Sequence, residues 1–330
     1  MYLKNKKSLI SIITPSWNRE YFLKKLADSL IDQSFKNFEW IVGNDGSTDN
    51  TDNFIKSILK KKDLQIKYVA SSLRIGKAAM DNILLDYVSG EYITWCGSDD
   101  ILLPNAIENI SKLITQIPKN EIDNYAGILA QSIDRNNKSQ TFYENNIPKE
   151  AAHLKWEFLT KIIKGDATII ERSELIKGNK FLEVDFLISE SSFFNRIYKG
   201  KKFIVTPTVV KIMDRSANNS ITFGKKLQYS RGSAYCIAVI ETSINFAKYS
   251  IIKKIKVIIN YWRYSIHGDI KFSEARRMLE PVNKNILWSL VYIISLILCL
   301  RDNLLGKVEK THIDFEKNIK KKIITFKSNN

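Results

Sequence analysis

Asp99 and Asp100 stand side by side at the end of the run Gly90-Glu91-Tyr92-Ile93-Thr94-Trp95-Cys96-Gly97-Ser98-Asp99-Asp100. A short apolar run that breaks into Gly and Ser predicts a buried strand with the two carboxylates at its tip. Adjacent anions repel each other, so a fold that places them there supplies a cation or a hydroxyl-rich ligand. In an open α/β sheet, ligands gather at the carboxyl ends of the strands. The pair therefore points to a divalent metal and a phosphorylated, sugar-like ligand.

Three further stretches carry side chains suited to such a ligand. Thr14-Pro15-Ser16-Trp17-Asn18-Arg19 offers an aromatic face for a nucleobase and polar groups for its edge. Asn44-Asp45-Gly46-Ser47 holds a carboxylate that can accept a hydrogen from a base ring nitrogen, although a helix cap would use the same residues. Arg74-Ile75-Gly76-Lys77 brings cations to a helix start, where a phosphate or a base carbonyl suits them. Each stretch alone also fits a structural role. Their order along the chain is what binds them into one site, since each follows a strand or opens the next helix.

The elements that must position them alternate regularly. Leu9 to Pro15, Phe38 to Val42, Leu64 to Ala70 and Glu91 to Cys96 predict four strands. Between them, Phe22, Leu23, Leu26, Ala27, Leu30 and Ile31 repeat at helical spacing, as do Phe54, Ile55, Ile58 and Leu59, and then Met80, Ile83, Leu84, Tyr87 and Val88. Pro104 is expected to open a fourth helix carrying Ile107, Ile110, Leu113, Ile114 and Ile117. Strands alternating with amphipathic helices predict a mostly parallel sheet covered on both faces. Beyond residue 117 the pattern loosens, with strands expected at Tyr125 to Ala130, Ala167 to Glu171 and Phe203 to Ile212 and a polar loop at Asn136 to Asn146. From Lys225 onward the chain reads as almost entirely helical.

Charge is spread unevenly. The net charge of the chain is +16, and Lys225 to Asn330 carries 20 basic against 8 acidic residues, so the anionic partner, if any, belongs to this tail. Within it, Ile286 to Leu300 is 15 residues without a charge, short of the roughly 20 that cross a bilayer. A buried helix, an in-plane membrane helix and a span all remain open. Cys96, Cys236 and Cys299 are far apart in apolar surroundings and form no metal-ligand spacing. His153, His267 and His312 are equally scattered, which leaves no zinc site. The Lys-rich start reads as the approach to a first strand, because Thr14-Pro15 interrupts its apolar run. No Gly-x-Gly-x-x-Gly follows the first strand and no Gly-Lys-Ser/Thr phosphate loop occurs, which excludes the usual dinucleotide and P-loop enzymes.

As a set, Ser11 to Arg19, Ile41 to Asp49, Lys77 to Asn82 and Gly90 to Asp100 with Pro104 resemble the inverting nucleotide-sugar glycosyltransferases of family 2 over about the first 115 residues. The resemblance implies a GT-A-type α/β fold: a mostly parallel nucleotide-binding sheet flanked by helices, here with a helical C-terminal extension. It divides the chain into a nucleotide-sugar half (1–117), an acceptor half of the same domain (118–224) and a basic extension (225–330). By the same resemblance Thr14, Pro15, Trp17, Asn18, Asp45, Lys77 and Asp99 bind the nucleotide sugar, with Trp17 stacking on the base, Asp45 at its edge and Asp99 at the ribose. Asp100 holds Mg2+ or Mn2+ on the diphosphate, and Asn44 stands where the first of two carboxylates is often found. The family's base is commonly an Asp six residues before an Arg, which falls on Glu190 before Arg196, with Ser189 in place of an acidic neighbour. Arg215 lies in a segment that the family uses near the phosphates. The implied partners are a nucleotide sugar, UDP-linked by expectation, and a glycan or polyprenyl-linked acceptor, with no nucleic acid. The implied setting is cytoplasmic and peripheral on the inner face of the cell membrane, with the extension on anionic lipid. The rival expectation is a non-catalytic nucleotide- or membrane-binding scaffold that keeps the fold.

Overall fold

The computed structural model describes residues 8–61, 63–135, 148–162, 166–181, 183, 190–214, 249–279, 287–306 and 323–327. The chain forms two compact units: Met1–Glu183 with Asn195–Ser220 and Glu316–Asn330, and Val184–Phe194 with Ile221–Phe315.

The first unit opens with β1 (Ile10–Ser16), α1 (Glu20–Ile31), β2 (Phe38–Asp45), α2 (Thr51–Leu59), β3 (Ile66–Ser71), α3 (Lys77–Leu85) and β4 (Tyr92–Trp95). This is the alternation that the apolar spacing predicts. β1 pairs in parallel with β2 and β4, and β2 with β3. Every residue of β2 is buried, as befits a central strand with helices on both faces. β2 runs past the expected end at Val42 through Asn44 and Asp45, so these two residues end the strand.

The chain continues through β5 (Asp100–Leu102), α4 (Ala106–Ile114), a short 3-10 helix (Lys119–Asn124), β6 (Tyr125–Asp134), β7 (Ala152–Lys155), α5 (Trp156–Ile162), β8 (Thr168–Arg172), α6 (Ser173–Ile176), α7 (Ser191–Ile197) and β9 (Lys202–Met213). Pro104 precedes the cap residue Asn105 and so lies just outside α4. α4 buries Ala106, Ile107, Ile110 and Leu113 along one stripe. β10 (Ile323–Lys327) closes the set. Among the described residues the strand order is β10-β3-β2-β1-β4-β8-β6-β9-β5, with β7 also on β9. The β3-β2-β1-β4 block is parallel. Beyond it β8 is antiparallel to β4 and β6, while β6 and β9 are parallel.

One apolar core runs from Ile10, Ile12 and Trp40 to Ile170, Ile204 and Val210, so the two halves of the sheet share it. β9 pairs with β6 and is long enough to serve two further partners. Its start pairs with β7 and its end with β5, setting Leu102 opposite Lys211 and Asp100 opposite Met213. That ladder brings the Asp99-Asp100 tip against the second half of the unit.

β10 corrects the expectation of an almost wholly helical tail. Ile323-Ile324-Thr325-Phe326 is β-branched and aromatic, a composition that suits an edge strand, and it pairs antiparallel with β3. The expected loop at Asn136 to Asn146 lies outside the described residues.

The second unit contains α8 (Ile251–His267), α9 (Phe272–Met278) and α10 (Leu287–Leu304). Its core is Ile258, Tyr261, Trp262, Ala275 and Leu279. Trp262 stacks on Phe272 with ring centres 5.2 Å apart. No helix among the described residues is long and apolar enough to cross a membrane.

Candidate functional site

The ends of β1, β2 and β4 lie side by side because β1 pairs with both others. Neighbouring strands are ~4.8 Å apart, so the tips of β2 and β4 are separated by roughly 10 Å. Trp17 follows β1 and is partly exposed. The Arg74 guanidinium covers its ring, 3.7 Å from the centroid, a cation–π contact that ties the loop before α3 to the end of β1. Asp45 fixes the same loop from below. Its two oxygens accept from the backbone N–H groups of Ile75 at 2.6 Å and Gly76 at 3.0 Å. Burial pushes the Asp45 carboxyl up, and those two bonds and the Arg74 charge only partly offset it. A carboxylate has about four acceptor positions, so two backbone donors leave capacity for a ligand donor.

Several residues of the same motifs make structural contacts. Thr14 is fully buried and accepts from the Trp40 indole at 3.0 Å, so its side chain serves the core. Pro15 lies within β1, partly buried. Asn18 adopts a left-handed φ of 52° and accepts from the Thr48 N–H at 2.8 Å, which clips the β1 end to the loop after β2. Asn44 donates to the Tyr68 hydroxyl at 2.9 Å and accepts from the Ser47 N–H at 2.9 Å. Asn82 grips the Phe181 backbone through both ends of its amide. Lys77 pairs with Asp81 one helical turn on, 2.7 Å away.

Asp99 and Asp100 both lie close to Gly97 in the tip that follows β4. A β-carbon placed on Gly97 would come 2.9 Å from Asp99 Oδ1 and 3.1 Å from Asp100 Oδ2. The two carboxylate oxygens thus converge on the space above that glycine, a cradle that any larger residue would fill. Hard carboxylate oxygens so placed fit Mg2+ or Mn2+, which take one or two carboxylates and complete their shell with water and phosphate oxygens. Burial, and then the neighbouring Asp100 charge, push the Asp99 carboxyl up, while Arg19 and Lys211 act the other way.

The sequence reading missed Lys211 as part of this site. Its Nζ lies 2.7 Å from Asp100 Oδ2, which also accepts from the Gly97 N–H at 2.7 Å. Burial, the largest single effect, would lower the Lys211 ammonium, but the charge and hydrogen bond of Asp100, with Cys96 and Asp166, together outweigh it and the net shift is upward. The available signal was a lone Lys in the apolar run Val209-Val210-Lys211-Ile212-Met213. Nearby, Arg135 pairs with the buried Asp214 at 2.6 Å, and the Asp214 N–H donates to the Asp99 carbonyl at 3.3 Å.

Glu190 is exposed just ahead of α7, and its carbonyl accepts from the N–H groups of Phe193 and Phe194. It belongs to the second unit, whereas Trp17, Asp45, Asp99 and Asp100 belong to the first. Arg196 lies on α7, exposed, near the Lys180 carbonyl at 3.4 Å. Ser189 and Arg215 lie outside the described residues.

Known proteins resemble both the sequence and the fold. The GalNAc(5)-diNAcBac-PP-undecaprenol beta-1,3-glucosyltransferase of Campylobacter jejuni is 28% identical over 199 residues, which cover 59% of this chain and 62% of that protein. The UDP-Glc:alpha-D-GlcNAc-diphosphoundecaprenol beta-1,3-glucosyltransferase WfgD of Escherichia coli is 37% identical over 100 residues, 30% of this chain and 38% of that one. The matches thus span less than two thirds of these relatives. Among solved structures, S. aureus TarS 1-349 in complex with UDP-GlcNAc superposes with a TM-score of 0.62 at 16% identity, covering 90% of this chain and 92% of that one. The likeness shows a shared fold, the GT-A type that the motifs implied. The family model "Glycosyl transferase family 2" matches residues 11–177, just over half of the chain, and the chain belongs to that family.

Proposed function

We propose that this protein transfers a sugar from a nucleoside-diphosphate donor to a hydroxyl of a lipid-linked glycan, with inversion, in the synthesis of a cell-surface polysaccharide. The observation that carries this reading is the convergence of Asp99 and Asp100 above Gly97, beside strand tips that bear Trp17 and Asp45. The spacing of those tips suits a nucleoside diphosphate laid across them, base at Trp17 and Asp45, ribose at Asp99. A base on the ring face that Arg74 covers must displace that guanidinium.

Asp100, with Asp99 beside it, is the residue to hold Mg2+ or Mn2+. Such an ion, when bound, offsets the negative charge that grows on the departing diphosphate. Glu190 takes the proton from the acceptor hydroxyl as that oxygen attacks the anomeric carbon. The bond from that carbon to the diphosphate oxygen breaks, and the nucleoside diphosphate leaves from the opposite face. One displacement of this kind inverts the anomeric centre. The name of the E. coli relative includes UDP-Glc, which supports a UDP-linked donor. Both curated relatives are named for undecaprenol-linked acceptors, which supports an acceptor at the inner face of the membrane and a peripheral enzyme.

The test is release of nucleoside diphosphate from a panel of nucleotide sugars, UDP-linked first, with Mn2+ or with EDTA. At least one donor is expected to be turned over with Mn2+ and not with EDTA. No release from any donor, with no nucleotide bound in Mn2+, would favour the scaffold instead.

A further inference from the structure

Lys211 occupies an unusual place for a lysine. It is only 8% exposed, in a strand that is otherwise apolar at that end. Burying an ammonium is costly unless an anion accompanies it, and here the anion is Asp100. Backbone geometry fixes the pair from both sides. The β5–β9 ladder sets Leu102 opposite Lys211, and the Gly97 N–H holds the same Asp100 oxygen that the ammonium touches. The proposed metal ligand therefore already carries a cation built into the chain.

A second cation on Asp100 repels the ammonium and deprives it of its anion, in surroundings where water cannot screen the two. A diphosphate alone, in turn, approaches two carboxylates of its own sign. When the two arrive together, the phosphate charge balances both the ion and the released ammonium. Resting on the proposed function, we propose that Lys211 is a positioning residue that couples metal entry to donor binding: its ammonium is the counter-ion of Asp100 until a divalent cation and a nucleoside diphosphate bind together. No covalent bond changes; one cation exchanges for another at a carboxylate. Because binding couplings are reciprocal, the ion strengthens nucleotide binding by the same factor as the nucleotide strengthens ion binding.

The test measures free Mn2+ by electron paramagnetic resonance over the full chain, with and without UDP or GDP, for wild type, Lys211→Met and Lys211→Arg. Wild type is expected to bind Mn2+ at least tenfold more tightly with one of the nucleotides than without. Lys211→Met should bind Mn2+ alone at least tenfold more tightly than wild type does, with a smaller nucleotide effect, and Lys211→Arg should behave as wild type. A lysine of purely structural importance would not tighten metal binding when removed. If Lys211→Met does not fold by circular dichroism, the wild-type arm decides: equal Mn2+ affinity with and without nucleotide overturns the coupling. Mn2+ binding by wild type that a folded Lys211→Met fails to tighten overturns the role of Lys211 and leaves the metal reading standing. No Mn2+ binding by any of the proteins, with or without nucleotide, overturns both.

Discussion

Asp99 and Asp100 were legible because they are neighbours in the chain: two adjacent carboxylates after an apolar run need no fold to be recognised. The partners of Lys211, Arg74 and Thr14 were not legible, for reasons of geometry. Lys211 reaches Asp100 only through the β5–β9 pairing, and Arg74 reaches Trp17 only because Asp45 pins the loop beneath it. The Thr14 hydroxyl oxygen accepts from the Trp40 indole, a partner that lies 26 residues away in the chain. Glu190 is a different case, a role carried from family spacing to a residue that lies in the other unit from the carboxylates. Its test separates binding from chemistry. Glu190→Gln keeps shape and hydrogen-bonding capacity but cannot take a proton. Donor affinity, measured by calorimetry, should be nearly unchanged, and transfer should slow by at least ~100-fold, the usual worth of a general base. Wild-type turnover in that variant would move the base elsewhere.

At the scale of elements, one buried carboxylate shows how the parallel block is held. Glu39 lies near the start of β2, fully buried. It accepts from the Ser11 hydroxyl on β1 at 2.5 Å, from the Ser89 N–H and hydroxyl at 2.7 Å each, and from the Gly90 N–H at 3.2 Å, and Lys67 of β3 lies 2.6 Å away. Gly90 is obligatory there, since a β-carbon would come 2.6 Å from the Ser11 nitrogen. Glu39 thus joins three strands and the approach to β4, the strand that leads to Asp99 and Asp100. The strand–helix alternation that holds this hub was readable from apolar spacing. The hub was not, because a Glu between apolar neighbours carries no sign of its partners. Burial alone would raise the Glu39 carboxyl, but Lys67, Ser11 and Ser89 together bring it below its ordinary value of 4.5. A carboxylate lowered on folding contributes stability above the unfolded value and loses it as pH falls through the folded one. Glu39→Gln should therefore cost about 2–4 kcal/mol in urea denaturation at neutral pH. The cost should shrink on acidification below about pH 4.5, where the wild type loses the same interactions. A cost that stays constant down to pH 3 would show that the charge of Glu39 is not what binds the strands.

Over the whole molecule, charge and apolar exposure both concentrate toward the C-terminal part of the chain. From Leu287 on, the uncharged run that left three readings open in the sequence lies in α10, a helix turned inside out relative to an ordinary one. Ser295, Cys299 and Asp302 recur at helical spacing and are buried, with Ser295 donating to the Ile259 carbonyl and Asp302 bonded to Arg263 and His267 of α8. On the opposite side Ile293, Ile297, Leu300 and Leu304 are 58–87% exposed. Spacing alone could not reveal this, because an apolar stripe reads the same whether it faces a core or a lipid. Within the proposed function, this stripe is the surface we propose to meet the membrane that carries the acceptor. Each Leu or Ile withdrawn from water contributes about 1.5–3 kcal/mol, and the basic residues of the extension add attraction to anionic headgroups. The protein should co-sediment with vesicles containing phosphatidylglycerol more than with zwitterionic ones, and less so as salt rises. Ile297→Glu with Leu300→Glu removes two anchors and adds two negative charges on the exposed face, leaving the Asp302 cluster untouched. That variant should lose at least ~10-fold in vesicle affinity at unchanged helix content. Binding equal to wild type would show that this face does not meet the bilayer.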